Sequence, residues 1–545
     1  MSNRPEETST DRRAARMREL GFWGDTTISD YFGAAVAKSP ERLAVVERRV
    51  ASANRTALTY ADLSDRVDRI ASAFMRLGVG PGDVVSIQLP NWWQFIAVHL
   101  AAMKIGAVTN PLMPIFRSRE LAFMLALAES KVLIAPEEYR GFSYGPMVQE
   151  LRATIPTLQH AFFVDGTGAD GFEALLQGAP AEDLARRVDA DAICQILFTS
   201  GTTGEPKGVM HTSNTLWGDV RPRVARLGLT GDDVVYMPSP LAHQTGFLVG
   251  ILMPVLLGTT SVLQDTWNGD RAVEIMRDEA VTFTMASTPF LLDLTEAVER
   301  SGTIIPSLRI FVAGGAPIPR SLVRRATRQL GASIVSIWGM TECGASTATD
   351  VDDPIEKSSE TDGKPNPGAE IRVVDRDNGR VLPPRIEGNL QVRSSGNFVG
   401  YLKRPQLNST NEDGWLDTGD LATIDEAGYV RITGRTKDVI IRGGENVPVV
   451  EIEGLLYEHP AIAEIAIVPY PDERLGERGC AFVVLRPNHT LNLAGLVEFL
   501  LARKCARNYL PERLEVLEQM PRTPSGKIQK FVLREAAREK AASVS

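Results

Sequence analysis

An apolar run, Ile193 to Phe198, breaks into Thr199-Ser-Gly-Thr-Thr-Gly-Glu-Pro-Lys-Gly208, and this junction restricts the fold more than any other stretch. A strand ending in hydroxyls and glycines suits a phosphate-binding loop. Thr199, Ser200, Thr202 and Thr203 can donate to phosphate oxygens, Gly201, Gly204 and Gly208 let backbone N–H groups come close, and Lys207 adds positive charge. The chemistry fits a nucleoside triphosphate. It is not the common P-loop, which needs Gly before its lysine and Ser or Thr after it; Pro206 and Gly208 stand there instead. The kinase or GTPase reading weakens accordingly, and taken alone the stretch also reads as a polar turn after a strand.

A chain of 545 residues exceeds the roughly 250–300 at which one core stops growing, so two or more units are expected. Its 59 Lys and Arg against 68 Asp and Glu give a net charge of −9, which disfavours a nucleic-acid surface but leaves room for a basic pocket. The 4 cysteines form no C-x-x-C pair and the 6 histidines no metal-ligand spacing, which suits a reducing cytoplasm and no structural zinc. Met1 to Leu20 lacks the apolar segment of a secretory signal, and Ser543-Val-Ser545 is not a peroxisomal tripeptide, so a cytoplasmic enzyme is expected. The apolar stretch from Phe247 to Leu263 is nearly long enough to span a membrane but contains Gly250, Pro254 and Gly258. It reads as a buried helix followed by a strand, with no transmembrane segment.

Thr59-x-x-Asp62 forms a capping box ahead of Leu63, Val67, Ile70, Phe74 and Leu77, an amphipathic spacing that Gly78-Val-Gly-Pro-Gly82 stops. Val85, Ile87 and Leu89 then alternate as a strand, and Asn91 opens a second apolar helix running to Gly106, with Trp92 and Trp93 read as packing. Val234 to Met237 leads into Pro238-Ser-Pro-Leu-Ala-His243-Gln-Thr-Gly-Phe247; Leu308, Ile310 and Val312 into Gly314-Gly315-Ala316-Pro317; Ile334 to Ile337 into Trp338-Gly339-Met340-Thr341-Glu342. Ligands of open α/β sheets bind outside the carboxyl ends of strands, so these loops and the Thr199 loop are expected to face one site. From about Gly363 the pattern becomes short strands at Glu370 to Val374, Gly388 to Arg393 and Gly428 to Ile432, which predicts a small β subdomain. About a hundred residues of mixed strands and helices follow, ending in Pro521-Arg-Thr-Pro-Ser-Gly526-Lys527 and a basic, Ala-rich helix read as solvated surface. The expected fold is therefore α/β. Layered α/β subdomains run to about residue 362, a small β subdomain covers 363–436, and a smaller, mobile α+β domain covers 437–545.

Taken in order, TSGTTGEPKG, WGMTE, WLDTGD, GRTKD, RGGEN and PRTPSGK resemble the motifs of the adenylate-forming superfamily of acyl-CoA synthetases, adenylation domains and luciferases. The resemblance covers about Ser29 to Leu533 and is most similar to short- and medium-chain fatty acyl-CoA ligases and cyclohexanecarboxylate-CoA ligases. It implies ATP, Mg²⁺ and coenzyme A. Thr199 to Gly208 would grip the β- and γ-phosphates and Glu342, beside Thr341, would be the Mg²⁺ ligand. Gly315, Ala316, Pro317 and Trp338 would hold adenine; Asp420 and Arg435 would take the ribose. Trp338 departs from the tyrosine most common at its position. Lys527 would bridge carboxylate and α-phosphate, and Lys437 would be the hinge between two domain arrangements. Gly443 and Gly444 would line the pantetheine tunnel with Arg442 at its mouth. The acyl group would lie among His243, Phe247, Gly315, Met340 and Cys343, an apolar set implying a short or medium fatty acid or an alicyclic acid. A carrier-loading adenylation enzyme is the nearest alternative; such enzymes typically carry an Asp where Ala242-His243-Gln244 stands. A luciferase-like oxygenase shares the motifs, and a non-catalytic nucleotide-binding homologue would be expected to have lost Glu342 or Lys527.

Overall fold

Thr59 and Asp62 exchange hydrogen bonds in a computed structural model of the chain: Asp62 N donates to Thr59 Oγ1 at 3.0 Å, and Thr59 N donates to Asp62 Oδ2 at 3.0 Å. Two helix-end donors are thereby satisfied, and the helix Tyr60–Arg76 begins. Leu63, Val67, Ile70 and Phe74 are all buried along its inner face. Gly78, with a φ of 74°, turns the chain out of the helix towards the strand Val84–Ile87. The structure describes residues 9–181, 184, 188–199, 205–316, 318–436, 438–442, 445–472, 474–523 and 526–542.

The next helix spans Trp93–Lys104, starting two residues later than the sequence predicts. Asn91 is used elsewhere. Its Nδ2 donates to the carbonyls of Met237 (3.3 Å), Ser239 (2.9 Å) and Gln264 (3.2 Å), and its Oδ1 accepts from Leu241 N at 2.8 Å. One amide thus pins the helix start to the strand-end loop that carries His243. Trp92 and Trp93 are buried in the core, as packing residues are.

The apolar stretch around Phe247 is not one helix. An α-helical turn Gln244–Phe247 passes into a π-helical turn Leu248–Leu252 and back to α-helix at Met253–Leu257, before the strand Thr260–Gln264. A Cβ on Gly250 would lie 2.7 Å from Leu241 Cδ2, so glycine lets this segment press directly on the loop beneath it. Among the described residues no helix is long and apolar enough to cross a membrane.

Among the described residues, nine strands form one sheet. Its parallel middle runs Ser333–Met340, Ile310–Gly314, Phe283–Ser287, Val234–Met237, Thr260–Gln264 and Leu43–Arg49. A second, seven-stranded sheet places Lys207–Thr212 beside Ile193–Thr199, then Val108–Pro111, Val84–Ile87, Ser130–Pro136 and His160–Val164. Alternation along each strand splits the apolar residues between faces. Val85 and Ile87 join Met237, Phe283 and Val312 in a central cluster that also takes in Val67, Phe74 and Phe95. Val84, Leu133 and Ile196 face outward to helices Ser118–Leu127 and Gly145–Thr154, and Tyr236, Ala286 and Phe311 to helices Gly269–Asp278, Thr288–Ser301 and Arg320–Leu330. The result is five layers with the inter-sheet core at the centre.

Strands Ala369–Val374, Gly388–Ser394, Leu416–Ile424 and Val430–Arg435 form a small antiparallel sheet in that order. Beyond it a smaller α+β part is built on the hairpin Ile462–Asp472 with Gly476–Leu485, joined in parallel by Arg513–Leu517. The fold is thus a large N-terminal α/β domain with a smaller C-terminal domain. The last helix, Lys530–Ala542, corrects the reading of it as solvated surface: Leu533 and Ala537 are buried against the hairpin. Its basic residues made it look exposed, but Lys530 pairs with Glu453 at 2.7 Å and Arg534 pairs with Asp438.

Candidate active site

Four strand ends converge. Ile193–Thr199 and Lys207–Thr212 flank the glycine-rich loop, with Lys207 opposite Thr199 in an antiparallel pair. Ser200, Gly201, Thr202, Thr203 and Gly204 of that loop lie outside the described residues, as do Pro317, Lys437, Gly443 and Gly444. Lys207 Nζ stands 4.8 Å above the ring of Tyr401. Tyr401 is itself fixed beside the loop, because its strand pairs with Val209 and Leu402 N donates to Gly208 O at 2.8 Å.

Tyr401 also reaches Glu342, donating from its hydroxyl to Oε1 at 2.8 Å. Glu342 is buried, and its backbone carbonyl accepts from Phe398 N at 2.7 Å. One carboxylate oxygen is therefore held while the other stays available. His211 secures the preceding residue, its Nε2 donating to Thr341 O at 2.8 Å; burial pushes its pKa down to about 4, so it is neutral. Sequence reasoning missed Tyr401 and His211. Each acts by contact with a residue far away in the chain, which no periodicity reports.

The strand Ser333–Met340 delivers Trp338, whose indole Nε1–H donates to Asp420 Oδ2 at 2.9 Å. Arg435 Nε donates to Oδ1 of the same carboxylate at 2.9 Å. Asp420 is 3 % exposed, so these two donors offset the cost of burying its charge. Each oxygen keeps a further lone pair, enough for two sugar hydroxyls. A tyrosine at 338 would present its hydroxyl in a different direction; the tryptophan uses its N–H instead. Gly339 cannot be larger: a Cβ there would lie 2.1 Å from Gly344 O, across the hairpin that turns the chain towards Glu342.

Gly315 follows the strand Ile310–Gly314 with a φ of 78°, and a Cβ on it would lie 3.5 Å from Lys527 Cε and 3.9 Å from Lys527 Nζ. The C-terminal Lys527 therefore reaches over the N-terminal loop. Thr523 shapes the turn that carries it, accepting from Lys527 N at 3.0 Å and taking Lys527 O on its own N–H at 2.7 Å. Burial and the nearby Arg435 guanidinium pull the Lys527 pKa down to about 8, against the opposing pull of Asp420 and Glu342. His243 caps the helix Gln244–Phe247, its Nδ1 accepting from Thr245 N at 3.3 Å. Burial, reinforced by the Lys527 charge, lowers its pKa to about 3, so it is a neutral imidazole at physiological pH.

Gly315, Trp338, Glu342, Asp420, Arg435, His243 and Lys527 thus surround one space. Ala316 follows Gly315, its carbonyl held by Thr288 Oγ1, which donates to it at 3.3 Å. Phe247 and Cys343 are not brought together. Phe247 lies in the inter-sheet core against the ring of His99, whereas Cys343 packs with Trp338 and Val209 under the small sheet, its thiol pushed up to about 12 by burial; Met340 flanks that second cluster. Arg442 pairs with Glu512 at 2.7 Å. A single held carboxylate beside a phosphate loop fits Mg²⁺, which takes one or two carboxylates plus phosphate oxygens.

Residues 32–402 match the family described as AMP-binding enzyme, and residues 451–527 match the AMP-binding enzyme C-terminal domain. Among curated proteins the chain is 38% identical over 534 residues to a medium-chain fatty-acid–CoA ligase of Escherichia coli (strain K12), covering 97% of this chain and 93% of that one. It is 34% identical to a salicylyl-CoA synthase / salicylate adenylyltransferase of a Streptomyces species, covering 97% of each. Among solved structures, ATP-bound MatB from Rhodopseudomonas palustris superposes with a TM-score of 0.85 at 27% identity, covering 94% of this chain and 100% of that one.

Proposed function

The chain belongs to the AMP-binding enzyme family and is an acyl-CoA synthetase, and from that premise we propose how its residues carry out the reaction and which acids it takes. A carboxylate attacks the α-phosphorus of ATP, giving acyl-AMP and pyrophosphate; the thiol of coenzyme A then attacks the acyl carbon and AMP leaves. The observation that carries this reading is the seat of Lys527, within reach of Gly315 and beside the Asp420–Arg435–Trp338 cluster. An ammonium there offsets the repulsion between two approaching anions and stabilises charge as pyrophosphate departs.

Asp420, oriented by Trp338 and Arg435, takes the ribose hydroxyls. Thr199, Lys207 and the loop between them take the β- and γ-phosphates. Glu342, oriented by Tyr401, would hold Mg²⁺, which when bound neutralises charge on the phosphate oxygens. Neutral His243 orients the carboxylate without repelling Lys527. The residues from 437 onward act as a domain that rotates about Lys437 for the second step, bringing Arg442 towards coenzyme A.

For the acid, Phe247 and the apolar inter-sheet core behind it favour a short or medium unbranched chain or an alicyclic carboxylate. Amino acids and dicarboxylates should be poor, because their second charge would be buried unpaired. Chromatography of the nucleotide products with a panel of carboxylates tests the reading. AMP with pyrophosphate is expected, dependent on coenzyme A for turnover; accumulation of ADP would overturn it.

A further inference from the structure

The helix Ser9–Glu19 precedes every motif read from the sequence, yet one of its side chains reaches the main chain beside the nucleotide site. Arg13 Nη1 donates to the carbonyl of Phe398 at 3.1 Å, and its Nη2 donates to those of Asn397 and, at 3.3 Å, Ser394. The guanidinium also lies 4.9 Å from the ring centroid of Trp23, which is buried and donates from Nε1 to Ser395 O at 2.9 Å. One cation thus gathers three carbonyls of the turn 394–398. Burial lowers the Arg13 pKa to about 10, so it stays charged at physiological pH, and hydrogen bonds from a charged donor are stronger than neutral ones. That charge is also close enough to His211 to add to the burial that keeps the imidazole neutral.

The opposite ends of the same peptide groups grip the site. Across a trans peptide the C=O and N–H point in opposite directions, so a donor on the carbonyl fixes where the N–H aims. In the Asn397–Phe398 peptide the carbonyl takes Arg13, and the N–H is the one that donates to Glu342 O at 2.7 Å. In the Phe398–Val399 peptide the carbonyl again takes Arg13, and the N–H donates to Met210 O at 2.9 Å, on the strand Lys207–Thr212 that leaves the phosphate loop. Tyr401, whose hydroxyl holds the Glu342 carboxylate, follows two residues later, and Phe398 packs edge-on against its ring with centroids 4.8 Å apart. The Glu342 main chain, its carboxylate and the strand after the phosphate loop are therefore tied to one short segment. Arg13 holds that segment from its far side.

We propose that Arg13 is a positioning residue of the adenylation half-reaction: by orienting the 397–398 and 398–399 peptides it sets Glu342 and the strand after the phosphate loop for ATP and Mg²⁺. The proposal rests on the ligase reading above and deepens it. Hydrogen bonds at the two ends of one peptide polarise each other, so loss of the cation weakens the grip on Glu342 as well as freeing the carbonyl. Thioester formation from acyl-AMP involves no triphosphate and is independent of this grip.

Arg13→Met, which keeps an unbranched stem but removes the charge and every donor, tests this in two ways. In the ligand-free enzyme, hydrogen exchange at the Phe398 and Val399 amides should quicken about tenfold, the effect of losing a hydrogen bond from a charged donor, while the helix Tyr60–Arg76 exchanges as before. In turnover, the Mg²⁺ concentration for half-maximal acyl-AMP formation should rise by about the same factor, with thioester formation from supplied acyl-adenylate and coenzyme A unchanged. Arg16→Ala, which breaks the exposed pair with Glu370 at 2.8 Å on the same helix, should alter none of these. Unchanged exchange at both amides would overturn the proposal. So would faster exchange with an unchanged Mg²⁺ requirement, which would leave Arg13 a packing residue, and so would equal loss of both half-reactions, which reports a general loss of structure. If the unaltered enzyme forms no AMP and pyrophosphate from any acid, the ligase reading itself falls, an outcome that a failure at position 13 alone does not produce.

Discussion

Lys527 shows how one residue's surroundings set its chemistry. A lysine near the end of a chain is ordinarily a solvated cation, yet here burial and Arg435 hold its pKa near 8. The charged form is the one the adenylation step needs, so activity should be present below that pKa and fall as pH rises through about 8 in kcat/KM for acyl-AMP formation. Lys527→Arg, charged at every accessible pH, should lose that limb. Lys527→Ala should abolish acyl-AMP formation yet spare thioester formation from supplied acyl-adenylate and coenzyme A; equal loss in both would contradict the assignment. Tyr401→Phe removes one hydrogen bond to a buried carboxylate, worth roughly 1.5 kcal/mol or about tenfold. The Mg²⁺ concentration for half-maximal adenylation should rise by that factor, and an unchanged requirement would remove Tyr401 from the support of Glu342. Lys527 and Glu342 were legible in the sequence because they sit inside motifs. Tyr401, His211 and the Trp338–Asp420 bond were not, since each joins residues distant in the chain.

Elements were readable where a local pattern ruled and misread where a distant contact did. The capping box of Thr59 and Asp62 gave the helix Tyr60–Arg76 its start, and Gly78 its stop, because both act within one turn. Asn91 looked like the start of a helix, but its amide serves the loop Met237–Leu241. The terminal helix Lys530–Ala542 read as solvated because it is basic and Ala-rich, though two well-placed side chains suffice to dock it. Leu533→Ala should therefore cost about 2–4 kcal/mol of C-terminal stability, as buried leucine truncations do. Arg538→Ala, on the exposed side, should stay within about 0.5 kcal/mol. Urea unfolding followed at the C-terminal part distinguishes them, and equal small effects would mean that the helix is not docked.

At the scale of the whole molecule, the placement of Lys527 over Gly315 fits an arrangement suited to the first half-reaction. In it Arg442 pairs with Glu512. Rotation about Lys437 would exchange the two arrangements. Lys437→Pro, fixing φ at that junction, should leave acyl-AMP formation largely intact while slowing thioester formation, the reverse of Lys527→Ala. Single-turnover measurement of each half-reaction decides it; parallel losses would place the hinge elsewhere.

The sequence by itself determined the class of fold, the order of the strand-end loops and the family. Alternating apolar patterns, caps and glycine-rich turns are local, and six motifs in a fixed order need no geometry to be recognised. Only the tertiary structure decided which side chains share a space. It put Phe247 with His99 in the inter-sheet core and Cys343 with Trp338 beneath the small sheet, a separation between two candidate acyl-pocket residues that the sequence does not record. It also left Gln195 unpaired at the centre of a strand, which sequence alone shows only as one polar residue in an apolar run. The reason is physical: burial and hydrogen bonding are settled by neighbours brought from hundreds of residues away, and a linear pattern records only which residues are available to be neighbours.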